Sequence, residues 1–169
     1  MTKPYVLQII GYKNAGKTTL LCKLLQQLKA RGMRVGTIKH DGHDFDIDHA
    51  GTDTWQHRAA GADVVAITSA TQTALIRNQP TSLETLLVQM EGLDVVLVEG
   101  FKQGGYPKLV LLRSAEDLPL LAQVTHPVAV ILGPAAASAP LSLPASMPRY
   151  DRDEIGGLLK LLLDGMSNR

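Results

Sequence analysis

At 169 residues the chain is long enough to bury a core and short enough to predict a single domain over 1–169. A formal charge of +1 excludes a dominant electrostatic footprint for nucleic acid, and no run of about 18 apolar residues offers a membrane span. The lone cysteine, Cys22, excludes an internal disulfide and a cysteine metal cluster and fits a reducing, cytoplasmic setting.

The first element is a short apolar run, Tyr5-Val6-Leu7-Gln8-Ile9-Ile10, rich in β-formers and expected to be a buried parallel strand. It leads into Gly11-Tyr12-Lys13-Asn14-Ala15-Gly16-Lys17-Thr18, a complete phosphate-binding loop. Leu20, Leu21, Leu24, Leu25 and Leu28 then recur at helical spacing, with Lys29 and Arg31 in the last turn and Gly32 as the stop. Strand, glycine loop and helix follow one another as the chemistry requires. Gly11 and Gly16 permit backbone turns closed to other residues, so the N–H groups of Lys13, Asn14, Ala15, Gly16, Lys17 and Thr18 can point at phosphate oxygens. The positive end of the helix lies beneath them. Lys17 is expected to reach the β and γ phosphates, and the Thr18 hydroxyl to ligate a bridging magnesium ion. Cys22, inside this helix, is expected to be a small buried residue.

Residues 34–39 read as a second strand, followed by a polar stretch, 40–49, holding three histidines and four aspartates. Its spacing matches no structural zinc motif, and a polar loop beside the phosphate site accounts for it more simply. Asp41, directly after the strand, is the candidate that reaches magnesium. Residues 52–60 predict a short helix entered through Gly51. Residues 63–68 and 73–77 predict two strands joined as a hairpin, and 82–90 a helix capped by Ser82. Val95-Val96-Leu97-Val98-Glu99-Gly100 is an apolar strand that ends in a carboxylate, where a nucleotide fold holds magnesium or its water shell. Glu99 is therefore the second acidic candidate. Further strands are expected over 108–112 and 128–132. Residues 134–148 carry four prolines and predict an irregular crossing, and 151–165 a C-terminal helix capped by Asp151 or Asp153, with Ile155, Leu158, Leu159, Leu162 and Leu163 as its apolar stripe. The alternation argues an α/β fold with a mostly parallel sheet covered on both faces and an added β-hairpin. That hairpin leaves unpaired edge groups, which pairing with a second copy would satisfy, giving a two-fold dimer.

Four stretches together resemble one family: residues 11–20, Ile38-Lys39-His40-Asp41 with His43-Asp44, Arg58-Ala59-Ala60-Gly61-Ala62, and Leu97-Val98-Glu99-Gly100-Phe101-Lys102. The family is MobB, accessory proteins of molybdopterin guanine dinucleotide synthesis, and the resemblance runs from about residue 5 to residue 132. It implies a P-loop NTPase-type three-layer fold and a GTP-binding protein with weak hydrolysis. It also implies a homodimer that assists a MobA-type guanylyltransferase attaching GMP to the molybdenum-pterin cofactor. By position, Gly16, Lys17, Thr18 and Thr19 would hold phosphates, and Asp41 and Glu99 would manage Mg2+. His40, His43 and Lys102 match the pattern without a derivable role. After the last core strand many relatives carry serine or threonine followed by aspartate, whereas this chain has Gly133-Pro134, and it contains no Asn-Lys-x-Asp string. Guanine preference thus rests on the resemblance. The residues alone leave open an ATP-dependent ligase or kinase of the dethiobiotin-synthetase kind, and a nucleotide-binding module without turnover. No arginine is placed beside the loop by sequence, which predicts slow turnover, with Arg58, Arg77 and Arg113 as the ones that could approach.

Overall fold

The computed structural model describes residues 2–168, which divide into two compact units: residues up to His40 together with those from Leu83 onward, and Asp41–Ser82. The first unit is built on a six-stranded sheet. In chain order its strands are β1 (Tyr5–Ile10), β2 (Val35–Lys39), β5 (Val95–Glu99), β6 (Lys108–Leu112), β7 (Pro127–Leu132) and β8 (Arg149–Asp151). The spatial order is β2-β5-β1-β6-β7-β8, and every pairing is parallel. The fold is the expected α/β one with a parallel sheet, and β1, which feeds the phosphate loop, lies in its middle.

Side-chain alternation along the strands separates the two faces. Leu7, Ile9, Leu97, Leu109, Leu111 and Ile131 pack under helices α1 (Lys17–Ala30) and α5 (Ile155–Ser167), through Leu20, Leu24, Leu28, Leu158 and Leu162. On the opposite face Val6, Ile38, Val96 and Val98 meet Leu83 and Leu87 of α3 (Leu83–Val88), while Ile10, Val110, Leu112 and Val130 meet Leu120, Val124 and Ala136. Between these two clusters runs a polar seam. Gln8 and Lys108, register partners on β1 and β6, are both fully buried. Gln8 Nε2 donates to the Gly100 and Phe101 carbonyls at 3.0 and 2.7 Å, and Lys108 Nζ donates to the carbonyls of Gly104 and Tyr106. The seam thereby fastens the loop after β5 to the underside of the sheet. Burial holds the Lys108 pKa below the ordinary lysine value.

Several elements differ from expectation for identifiable reasons. Cys22 is exposed: it lies on the side of α1 roughly opposite the stripe of Leu20, Leu21, Leu24 and Leu28. Residues Ala115–Gln123 form a 3-10 helix containing Pro119, which no helical period announces. The proline-rich segment opens with the four-residue helix α4 (Pro134–Ala137), where Pro134 stands at a first-turn position that tolerates it. Helix α5 begins at Ile155 behind Glu154, because Arg149–Asp151 is drawn into β8 against β7.

The second unit holds helix α2 (Asp53–Ala59) and the antiparallel hairpin of β3 (Val64–Thr68) and β4 (Thr73–Arg77). This hairpin is a two-stranded sheet of its own. Thr52, directly after Gly51, caps α2 through its side chain, which accepts the Trp55 N–H. Asp48 organises the preceding loop, accepting the hydroxyls of Thr52 and Thr54 at 2.8 and 3.0 Å. Burial would push its carboxyl up, but those bonds, the His49 N–H and the Arg58 charge hold it below the usual carboxylate range.

Candidate functional site

The loop 11–18 leaves β1 at the carboxyl edge of the sheet and enters α1, whose N-cap is Gly16. Gly16 has φ 91° and Asn14 φ 61°, the left-handed turns that rotate successive N–H groups toward one centre. Ala15 is buried beneath the loop, while Lys13, Asn14, Thr18 and Thr19 are exposed. A side chain on Gly11 would stand 3.1 Å from the Ala15 Cβ and 3.2 Å from the Leu111 Cβ, so the loop sits tightly on β6.

Two of the expected acid and hydroxyl donors come together. Thr18 Oγ1 donates to Glu99 Oε2 at 2.8 Å, joining the first turn of α1 to the end of β5. Glu99 is only 7% exposed, so its carboxylate is aimed at the loop rather than at solvent. Lys17 Nζ folds back to the Tyr12 carbonyl at 2.9 Å, which supplies the negative end that a phosphate oxygen would supply. Burial pushes the Lys17 pKa below the ordinary lysine value, Glu99 pulls it up, and Lys39 and Arg113 push it further down. Asp41 belongs to the other unit, where its Oδ1 accepts the His43 N–H at 3.4 Å. His40 lies in the first unit with its ring tilted against Phe101 at 4.6 Å.

Other cations reach the loop as well. Arg113, directly after β6, donates from Nη1 to the Lys13 carbonyl at 3.3 Å, and Arg152, directly after β8, donates from Nη2 to the Ala15 carbonyl at 3.4 Å. Arg113 and Lys102 both approach the Tyr12 ring, at 5.6 and 5.8 Å from its centroid. With Lys17, three cations therefore engage the carbonyls of Tyr12, Lys13 and Ala15, and the Ala15 N–H turns inward to the Tyr12 carbonyl at 3.2 Å. Arg113 was detectable as the residue ending an apolar strand. Arg152 was not, because the three-residue β8 that delivers it exists only through its pairing with β7.

What this arrangement can do is bind a polyphosphate with a hard divalent cation. The Thr18 hydroxyl and Glu99 carboxylate fit magnesium, which takes oxygen donors and few protein ligands when phosphates complete its shell. Among the described residues no group of three or more His, Cys, Asp or Glu side chains converges as a metal cage.

Comparison with known proteins finds one family. The family model MobB, molybdopterin guanine dinucleotide synthesis protein B, matches residues 6–132. The molybdopterin-guanine dinucleotide biosynthesis adapter protein of Escherichia coli K12 is 34% identical, over 97% of this chain and 94% of its own length. The adapter protein of the same name from Haemophilus influenzae Rd is 41% identical, over 68% of this chain and 67% of its own. Among solved structures, Bacillus subtilis MobB superposes with a TM-score of 0.78 at 31% identity, covering 95% of this chain and 96% of that one.

Proposed function

The chain belongs to the MobB family, and on that premise we propose that it is a cytoplasmic accessory protein of molybdopterin guanine dinucleotide synthesis that binds GTP with Mg2+ at loop 11–18 and hydrolyses it slowly. The observation that carries this reading is the meeting of Thr18 Oγ1 with Glu99 Oε2 at 2.8 Å, beside an ammonium folded into the loop. One strand end and one helix start thus offer, within a single hydrogen bond, the oxygens a magnesium-triphosphate complex needs. The backbone N–H groups of residues 13–18 and Thr19 would hold the phosphates, Lys17 would neutralise the β and γ groups, and Thr18 and Glu99 would take the cation. Asp41 joins them as a proposed magnesium ligand on the family resemblance alone.

Slow turnover follows from where the arginines point. Arg113 is tied to Asp117 and the Lys13 carbonyl, and Arg152 to the Ala15 carbonyl, both on the β6–β8 side of β1, whereas Glu99 lies on the β5 side. A developing charge on the terminal phosphoryl group is left to Lys17 and the cation. The names of the relatives describe adapters, and the partner that fits is a MobA-type guanylyltransferase, with the pterin cofactor as its other substrate. A homodimer is part of the proposal and draws on the exposed apolar hairpin residues Val64 and Leu75, which share one face.

Replacing Lys17 with alanine tests the reading. The expected outcome in titration calorimetry is a loss of about 2 to 4 kcal/mol of GTP affinity, with circular dichroism unchanged. Unaltered affinity in a folded variant would refute the loop assignment.

A further inference from the structure

The two sides of the phosphate loop differ chemically, and the sheet order gives the bound nucleotide a direction. The cation donors meet on the β5 side of β1, while β6, β7 and β8 follow in turn on the other side. A nucleotide whose terminal phosphates lie at Thr18 and Glu99 can send its nucleoside over the carboxyl ends of β6 to β8, the side from which Arg113 and Arg152 reach the loop. This step rests on the magnesium-triphosphate reading of the loop.

At those strand ends the register sets three residues in a row. Leu112 pairs with Leu132 and Leu132 with Asp151, so Arg113, Gly133 and Arg152 leave the sheet side by side. Arg113 is locked: its Nε and Nη2 donate to the two carboxylate oxygens of Asp117 at 2.8 and 2.7 Å, and its backbone N–H to Oδ2 at 2.8 Å. Arg152 is held by one long bond to the Ala15 carbonyl and reaches across two glycines. A Cβ on Gly133 would stand 3.1 Å from Arg152 Nη2, 3.2 Å from the Leu112 carbonyl and 3.3 Å from the Arg113 Cα. A Cβ on Gly16 would stand 3.5 Å from Arg152 Cζ. A side chain at Gly133 would crowd the guanidinium, whereas one at Gly16 would only touch it, so the guanidinium lies between the end of β7 and the loop against Gly133 in particular.

We propose that Arg152, flanked by Arg113 and Gly133, is the shelf on which the purine base of the bound nucleotide stacks. A guanidinium is flat, weakly hydrated on its faces and hydrogen-bonding at its rim, so an aromatic ring can cover the face while the rim N–H keeps its bond to Ala15. Such a shelf gives this chain a base contact that needs no carboxylate.

Titration with GTP and with inorganic tripolyphosphate, both with magnesium, separates this role from a brace on the loop. Arg152→Lys keeps the charge and removes the plane. It should weaken GTP binding by about tenfold, the size of one lost base stack, and leave tripolyphosphate within about twofold. Arg152→Ala should show the same gap between the two ligands. Equal losses for GTP and tripolyphosphate in either variant would make Arg152 a brace and overturn the proposal, as would full GTP affinity in Arg152→Lys. Lys17→Ala run alongside should lose both ligands. If it loses neither, the loop reading has failed rather than the shelf.

Discussion

Asp117 carries a consequence measurable in solution. Its side chain is 2% exposed and receives three hydrogen bonds from Arg113. The Arg113 side-chain bonds hold its carboxyl below the usual carboxylate value, ahead of the opposing effect of burial. A depressed folded pKa means the unfolded chain binds the proton first as pH falls, so the stability this carboxylate contributes is present above about pH 4 and lost below it. Chemical denaturation between pH 6 and pH 2.5 should therefore show the stability of Asp117→Asn falling less steeply with acid than that of wild type. Parallel profiles would mean the Arg113 clamp is not formed in solution. At this scale the sequence was unevenly legible. Gly16, Lys17 and Thr18 were readable because their roles depend on neighbours within one turn of chain. Cys22 departs from the expected burial because its place on α1 turns it away from the leucine stripe, which residue type alone does not reveal. Asp117 gave no signal, since its partner Arg113 matters only once β6 has ended beside the loop.

Among the elements, the hairpin of β3 and β4 has the least support of its own. Its ladder is complete, from Val64 opposite Arg77 to Thr68 opposite Thr73, yet a two-stranded sheet is marginal by itself in water. Val64 and Leu75 share one face and are 48% and 50% exposed, while Val65 on the other face is 5% exposed. An apolar face of this kind, with open strand edges, is what a second copy would cover. Val64→Asp with Leu75→Asp should convert a dimer to a folded monomer in light scattering at micromolar concentration, whereas a wild type already monomeric there, or a double mutant still dimeric, would remove this interface. The hairpin was legible because two short apolar runs, 64–67 and 74–76, flank a polar turn. By contrast β8 and the 3-10 helix of Ala115–Gln123 were not, one being too short for a period and the other interrupted by Pro119.

Across the whole molecule, the sheet order explains why the chemistry gathers where it does. Placing β1 between β5 and β6 sets the phosphate loop between a carboxylate on one side and two arginines on the other, from residues up to 137 positions apart in sequence. The strand-loop-helix unit and the carboxylate-ended strand were each visible in the sequence, but their meeting depended on parallel pairing of Ile9 with Glu99. The central claim is that this meeting holds magnesium on a bound guanine nucleotide. It is tested most directly by titrating GTP, with and without Mg2+, into wild type and Glu99→Gln. Wild type should bind GTP at least about tenfold more tightly with the cation, a gain of about 1.4 kcal/mol, and Glu99→Gln should lose that gain while binding metal-free GDP as wild type does. A wild type indifferent to Mg2+, or a Glu99→Gln variant that keeps the full gain, would contradict the account.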